Sequence, residues 1–310
     1  MVKIGNVVVW GVEDGEATRI VAKAKDGKPK LLRRTSGKVK AFDGVAIDGD
    51  LVVAWASELA KGGTQVVATV TASSDLSKVT PPVTVAMVAA PIGYDGGHVA
   101  IAKNPKGGVI VVHQGPEVPC KLLDHATECV SFEVKAVSAS GIVTKLASQK
   151  LHGGPSPEYR LLDVDGKALA VLGSSMRGGR TLEGVVVTYD PNDPKPAFTV
   201  PICGGAAAFF PELVRGANGE IVSACLDTRF DNPKCVRPAR GDADRCLRVA
   251  AVALDGKDLA PPVKGRTAAV QKVECGDAGG PKLVLEGGTT LELPRKTDSV
   301  ADFAPAACAK

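Results

Sequence analysis

A strand pattern recurs along this 310-residue chain and constrains its fold more than any other feature. Each copy reads as a strand, a Gly/Asp turn, an apolar strand, a variable loop, an alternating strand, and a polar turn into a Pro-flanked strand. One copy, covering residues 42 to 85, is FDGVAIDGDLVVAWAS followed by TQVVATVTASSDLSKVTPPVTV. Others are HVAIAKNPKGGVIVVHQG with SFEVKAVSASGIVTKLAS, YRLLDVDGKALAVLGSS with EGVVVTYDPNDPKPAFTV, and FFPELVRGANGEIVSACLD with LRVAAVALDGKDLAPPV. Aligned on the second strand, Trp10, Trp55, His113, Gly173, Cys225 and Gly287 share one position, at intervals of 45, 58, 60, 52 and 62 residues. Repeats of this length, made of four short antiparallel strands, predict the blades of a β-propeller. The class is all-β, with six four-stranded blades expected and five or seven as the alternatives.

The strand assignments rest on period-two alternation bounded by turn chemistry. VVATVTA, VKAVSAS, VVVTY and RVAAVAL each sit between Gly, Asp or Pro signals. The turns AIDGD, NPKGG, VDGK and RGANGE supply Gly or Asn where a hairpin needs positive φ. The nearest helical candidate, EATRIVAKAKDGKPK, alternates as a strand and breaks at Gly27 and Pro29. The repeats run through almost the whole sequence, so residues 1–310 are expected to form a single domain. The first copy is expected to begin directly at its second strand, NVVVWGV, with the C-terminal SVADFAP supplying the missing first strand and closing the ring.

Hydrophobic residues make up 45% of the chain and aromatics only 4%, so small and β-branched side chains must fill the core. No stretch has the apolar length of a membrane helix, the best being the run from Val83 to Ile92. The N-terminus enters a strand at once and carries no signal-peptide pattern. The net charge of +4 is unevenly spread: residues 1–40 hold seven Lys and three Arg against four acids, a local balance of +6. Lys23, Lys25, Lys28, Lys30, Arg33, Arg34, Lys38 and Lys40 offer a surface to an anionic partner, although charged edges are also the usual protection of exposed strands. There is neither a helical reading element nor interleaved basic and aromatic residues, so nucleic acid is not an expected partner.

Eight cysteines point to an oxidising, exported location, periplasmic, cell-surface or secreted. Cys120 and Cys129 bracket one polar loop, and Cys235 and Cys246 bracket the equivalent loop two repeats later. Each pair is expected to form a disulfide stapling its loop. Cys203, Cys225, Cys275 and Cys308 allow three pairings.

The succession DGDLVVAWAS, TQVVATVTASSDL and PPVTV resembles the blades of exported sialidase-type propeller proteins, where a Trp-containing second strand precedes a third strand ending in a polar turn. The resemblance covers most of the chain at the level of blade rhythm. The Asp-box of sialidases is absent from every turn here, so their catalytic chemistry passes to no residue of this chain.

Catalytic signals are sparse. Loop acids such as Asp163, Asp165, Glu183, Asp227 and Asp231 are available for paired-carboxylate hydrolysis, but turns of a propeller carry acids in any case. His98, His113, His125 and His152 show no metal-ligand spacing. His113 shares the repeat position of two tryptophans, which favours packing. DVDG at 163–166 and DGD at 48–50 leave calcium open as a cofactor; no other is expected. The most charged insertion is DTRFDNPKCVRPARGDADRC, residues 227–246, and projecting loops on rigid scaffolds commonly carry binding. Arg229, Arg237, Arg240 and Asp242 on that loop are the candidate partner-binding residues, and no catalytic residue is assigned. The leading expectation is a non-enzymatic exported propeller that binds a protein partner of the cell envelope or a secreted assembly. The alternative is a carbohydrate-binding or glycoside-hydrolysing propeller with its site at the central funnel. That alternative needs exposed aromatics, and Trp10 and Trp55 are both expected in the core.

Overall fold

A computed structural model of the chain describes residues 1–59, 62–72, 75–89, 99–122, 125–151, 157–175, 182–189, 196–200, 208–227, 235–236, 246–253, 268–277 and 279–294. The protein is all-β, and its repeating unit is the four-stranded antiparallel blade of a β-propeller. The first sheet runs in sequence order through β1 (Val2–Ile4), β2 (Val7–Asp14), β3 (Ala17–Ala24) and β4 (Lys30–Arg34). The second holds β5 (Lys38–Ile47), β6 (Asp50–Glu58), β7 (Thr64–Ala72), β8 (Asp75–Val79) and β9 (Val83–Val88). The third comprises β10 (Val99–Lys103), β11 (Val109–Leu122), β12 (His125–Val137) and β13 (Val143–Leu151). The fourth comprises β14 (Pro157–Val164), β15 (Ala168–Ser175), β16 (Leu182–Thr188) and β17 (Pro196–Val200). The last joins β18 (Ala208–Arg215), β19 (Ile221–Asp227), β20 (Cys246–Val252), β21 (Ala268–Cys275), β22 (Pro281–Leu285) and β23 (Thr290–Glu292) into six strands.

Turn chemistry sets the registers. Ile47 pairs with Asp50 across Asp48 and Gly49, which both take positive φ. This is the two-residue hairpin whose twist matches the strands it joins. In the second sheet the fourth strand is broken: β8 and β9 both pair with β7, on either side of Thr80, Pro81 and Pro82. The two prolines have no N–H to give the ladder. Thr80 carries the pairing across the break, donating N–H to the Val70 carbonyl at 2.8 Å and accepting the Val70 N–H on Oγ1 at 3.1 Å.

Two expectations from the sequence are corrected. The first copy has a first strand of its own, β1, pairing Val2 with Val9 and Ile4 with Val7. The two-residue turn Gly5–Asn6 is so tight that β1 and β2 read as one apolar run in the sequence. SVADFAP lies outside the described residues. Gly287 is not on a second strand but in the turn after β22, with φ of +91°.

Backbone packing divides the chain into two compact units. One comprises Met1–Lys150 with Gly154–Tyr159 and Tyr189–Lys195; the other comprises Leu151–Gly153, Arg160–Thr188 and Pro196–Lys310. Within the first unit, β6 is buried on both faces. Leu51, Val53 and Trp55 pack with Val9, Ile20 and Leu32 of the first sheet, while Val52, Ala54 and Ala56 pack with Ile101, Val109 and Val111 of the third. The near-continuous apolar run DLVVAWASE follows from this two-sided burial, worth roughly 1.5–3 kcal/mol for each fully buried Val or Leu. In the second unit Leu172 and Val186 pack with Ile221 and Cys225 of β19, whose other face sets Val222 and Ala224 against Val270 and Leu283. The fifth and sixth copies therefore stack like successive blades, although Arg248–Ala269 and Val249–Ala268 pairing joins them into one sheet.

Candidate functional site

The loop residues singled out from the sequence, Arg229, Arg237, Arg240 and Asp242, lie outside the described residues. The base of their loop is described. Cys235 and Cys246 form the expected disulfide, with a Cα–Cα distance of 5.7 Å. Val236 donates its N–H to the Val270 carbonyl at 2.7 Å, tying the bridge to β21. Cys225 and Cys275 are also disulfide-bonded. Cys120 and Cys129 do not bracket a loop: β11 and β12 continue past them, pairing Cys120 with Thr127 and Val118 with Cys129. Their side chains lie outside the described residues, as do those of His98, His125, His152, Glu183, Asp227 and Asp231.

The turn carboxylates are committed locally. Asp163 Oδ2 accepts the Gly166 N–H at 3.0 Å, Asp165 is ion-paired with Arg215, and Asp48 Oδ1 lies 2.9 Å from Lys103 Nζ. Among the described residues no three His, Cys, Asp or Glu side chains group as a metal site.

The feature with the shape of a binding site is a cleft of about 390 Å³ lined by Met1, Trp10, Gly11, Glu13, Thr18, Lys38, Val39, Lys40 and Phe42. Its origin lies in unequal strand lengths. β1 starts at Val2, opposite Val9, so β2 extends past it from Trp10 onward. The first half of β5 borders the gap, held there by Val39 N–H donating to Thr18 Oγ1 at 2.9 Å. Thr18 is in turn fixed by its own N–H donating to Thr35 Oγ1 at 2.9 Å. The result brings Trp10, Phe42, Glu13, Lys38 and Lys40, both aromatics partly buried, into the lining of one opening of small-ligand size. Lys40 Nζ lies 3.1 Å from Glu58 Oε2, leaving Lys38 and Glu13 as the cleft's unengaged side-chain charges among the described residues.

This overturns one expectation and upholds its counterpart. Trp55 is core, 3% exposed, but Trp10 keeps solvent contact and lines the cleft. The aligned repeat position faces the preceding sheet: Trp55 packs against the first sheet's core and Cys225 against the fourth sheet's. At the same position of the first sheet, Trp10 is only partly buried. The short strand before Trp10 was the available signal, and it was hidden in the continuous run VKIGNVVVW.

A second cluster lies within the third sheet. His113, fully buried, stands directly across from Glu133 in the β11–β12 ladder. Glu133 binds Lys135 at 2.9 Å and Lys145 at 2.7 Å, and Lys135 also donates to the Val85 carbonyl at 3.2 Å. Burial pushes the His113 pKa down to about 4, a fall that the Gln114 carbonyl and the Glu133 carboxylate only partly oppose. Glu133 is held below the usual carboxylate range because its two lysines outweigh its desolvation. His113 is thus a packed, neutral histidine, as its repeat position implied.

No family model and no curated protein matches the chain. Several solved structures resemble it. The GH43 protein BlXynB from Bacillus licheniformis is 12% identical with a TM-score of 0.34, over 83% of this chain and 53% of that one. This chain therefore spans about half the length of that relative. A thermostable family-43 glycoside hydrolase is 10% identical with a TM-score of 0.33, over 84% of this chain and 97% of that one. A mannose phosphorylase from Leishmania mexicana is 11% identical with a TM-score of 0.28, over 85% of this chain and 84% of that one. Two of these three are described as family-43 proteins and the third as a mannose phosphorylase; none is described as a sialidase. At these scores the likeness assigns neither substrate nor reaction to this chain.

Proposed function

We propose that this protein is an exported carbohydrate-binding propeller whose site is the cleft between β2 and β5. The observation that carries the reading is a cleft of small-ligand size whose lining includes two partly exposed aromatic residues, Trp10 and Phe42, together with Glu13 and Lys38. An aromatic ring binds the C–H face of a pyranose, while carboxylate and ammonium groups bond its hydroxyls. Glu13 is the one carboxyl among the described lining residues, whereas glycoside hydrolysis ordinarily uses two. The reading is therefore binding rather than cleavage. Disulfides at Cys235–Cys246, Cys225 and Cys275 support the exported location.

The test is a glycan array probed with the protein and with Trp10→Ala, accompanied by circular dichroism of both. Binding that is lost in the variant while the fold is retained supports the reading. Silence of the native protein across the array overturns it.

A further inference from the structure

We infer that the ligand of this cleft is an anionic glycan, one bearing carboxylate or sulfate groups, which extends from Trp10 across the outward face of the first sheet. The inference rests on the carbohydrate reading above and adds the charge of the ligand and its path.

The ladder registers define that face. Trp10 pairs with Val21, and Val21 with Leu31, so these three side chains form one row across β2, β3 and β4. Leu31 is 54% exposed, while Trp10 and Val21 are half-buried. One step along the same face, Lys3, Val8 and Lys23 form the adjoining row. Two residues along a strand span about 7 Å, so a sugar seated on Trp10 brings its neighbour over the lysine row. On the opposite side, Val12, Arg19 and Arg34 form a third row.

The cations on this face and in the cleft are of two kinds. Arg34 Nε is 2.7 Å from Asp14 Oδ2, Arg19 approaches the same carboxylate at 3.9 Å, and Lys40 is paired with Glu58. These charges are already balanced. Lys3, Lys23 and Lys38 are exposed and have no acidic partner among the described residues. Two uncompensated ammonium groups, those of Lys3 and Lys23, thus flank an aromatic and aliphatic strip, and a third, that of Lys38, lines the cleft. A neutral glycan would use the strip and leave the ammonium groups idle. A ligand carrying a negative charge on successive sugars engages both. The local excess of +6 in residues 1–40 draws the same class of ligand from solution.

Calorimetric titration against two matched pairs tests the inference: oligogalacturonate with its methyl ester, and dextran sulfate with dextran. Each pair keeps the sugar and removes the charge. The expected result is at least about tenfold tighter binding of a charged member, lost on raising the salt and in Lys3→Gln/Lys23→Gln/Lys38→Gln, with unchanged thermal stability. Preference for oligogalacturonate assigns carboxylate, and preference for dextran sulfate assigns sulfate. Equal binding of charged and neutral members overturns the inference and leaves the carbohydrate reading standing. Charge-dependent binding that persists unchanged in Trp10→Ala also overturns it, because the ligand would then be held by charge without the strip. No binding to any member overturns the inference, and the array described above decides separately whether the carbohydrate reading survives.

Discussion

His113 Nε2 lies 3.7 Å from Glu133 Oε2, within reach of the carboxylate yet without a hydrogen bond to it. The ring's other nitrogen, Nδ1, is 2.7 Å from the Gln114 carbonyl, which can only accept, so Nδ1 carries the proton and Nε2 holds the lone pair. The buried ring is therefore neutral while facing a carboxylate, an arrangement that makes folding sensitive to acid.

The pH dependence follows from the depressed pKa of about 4. Between about pH 6.5 and that value the unfolded chain takes up a proton that the folded chain refuses. The His113 contribution to stability therefore falls as the pH is lowered through this window and levels off below it, by an amount on the order of 3 kcal/mol, while the depressed Glu133 carboxyl extends the loss to more acid pH. Urea denaturation at a series of pH values should show the slope in the native protein and a flatter profile in His113→Gln. Identical profiles would mean that His113 titrates as it does in the unfolded chain.

Thr35 and Thr18 make the second prediction. Thr35→Val keeps the shape but removes the acceptor of the buried Thr18 N–H, at a cost of about 1–3 kcal/mol. Because Thr18 also positions Val39 at the cleft, ligand affinity should fall together with the melting temperature. Differential scanning calorimetry and titration on the same variant check both effects.

The Cys235–Cys246 bridge closes an eleven-residue separation and anchors the loop base on β21. Cys235→Ser/Cys246→Ser should lose about 2–4 kcal/mol of stability. Glycan affinity should be unchanged, because the cleft is formed by residues 1–42. A stability curve superimposable on that of the native protein would contradict the role assigned to the bridge.

Much of this fold is legible from the repeat alone. Short apolar, β-branched runs such as VVATVTA and RVAAVAL, with Gly/Asp turns between strands, suffice to place β7 and β20, because a strand buried on both faces reads as an apolar run bounded by turn residues. The disulfide at Cys235 and Cys246 was legible for a similarly local reason: two cysteines flank one charged insertion. What the repeat does not encode is which sheet covers which face. Trp10 and Trp55 occupy equivalent positions, yet one lies in a core between two sheets and the other lines a cleft. The difference comes from the length of β1 and the path of β5, and both are tertiary consequences. Gly287 was misplaced because an apolar strand followed by Gly-Gly looks the same whether the glycines end the strand or begin the turn.

The protein's two tryptophans allow the central claim to be tested by spectroscopy. Trp10 keeps solvent contact and Trp55 is buried, so iodide should quench the first and spare the second. The measurement is iodide quenching of tryptophan fluorescence with and without a saturating glycan identified on the array, in the native protein and in Trp10→Phe. If the cleft is the binding site, the glycan shields the quenchable fraction in the native protein, and that fraction is absent from Trp10→Phe. A glycan that binds while leaving the quenching of Trp10 unchanged would contradict the account and move the site elsewhere on the chain.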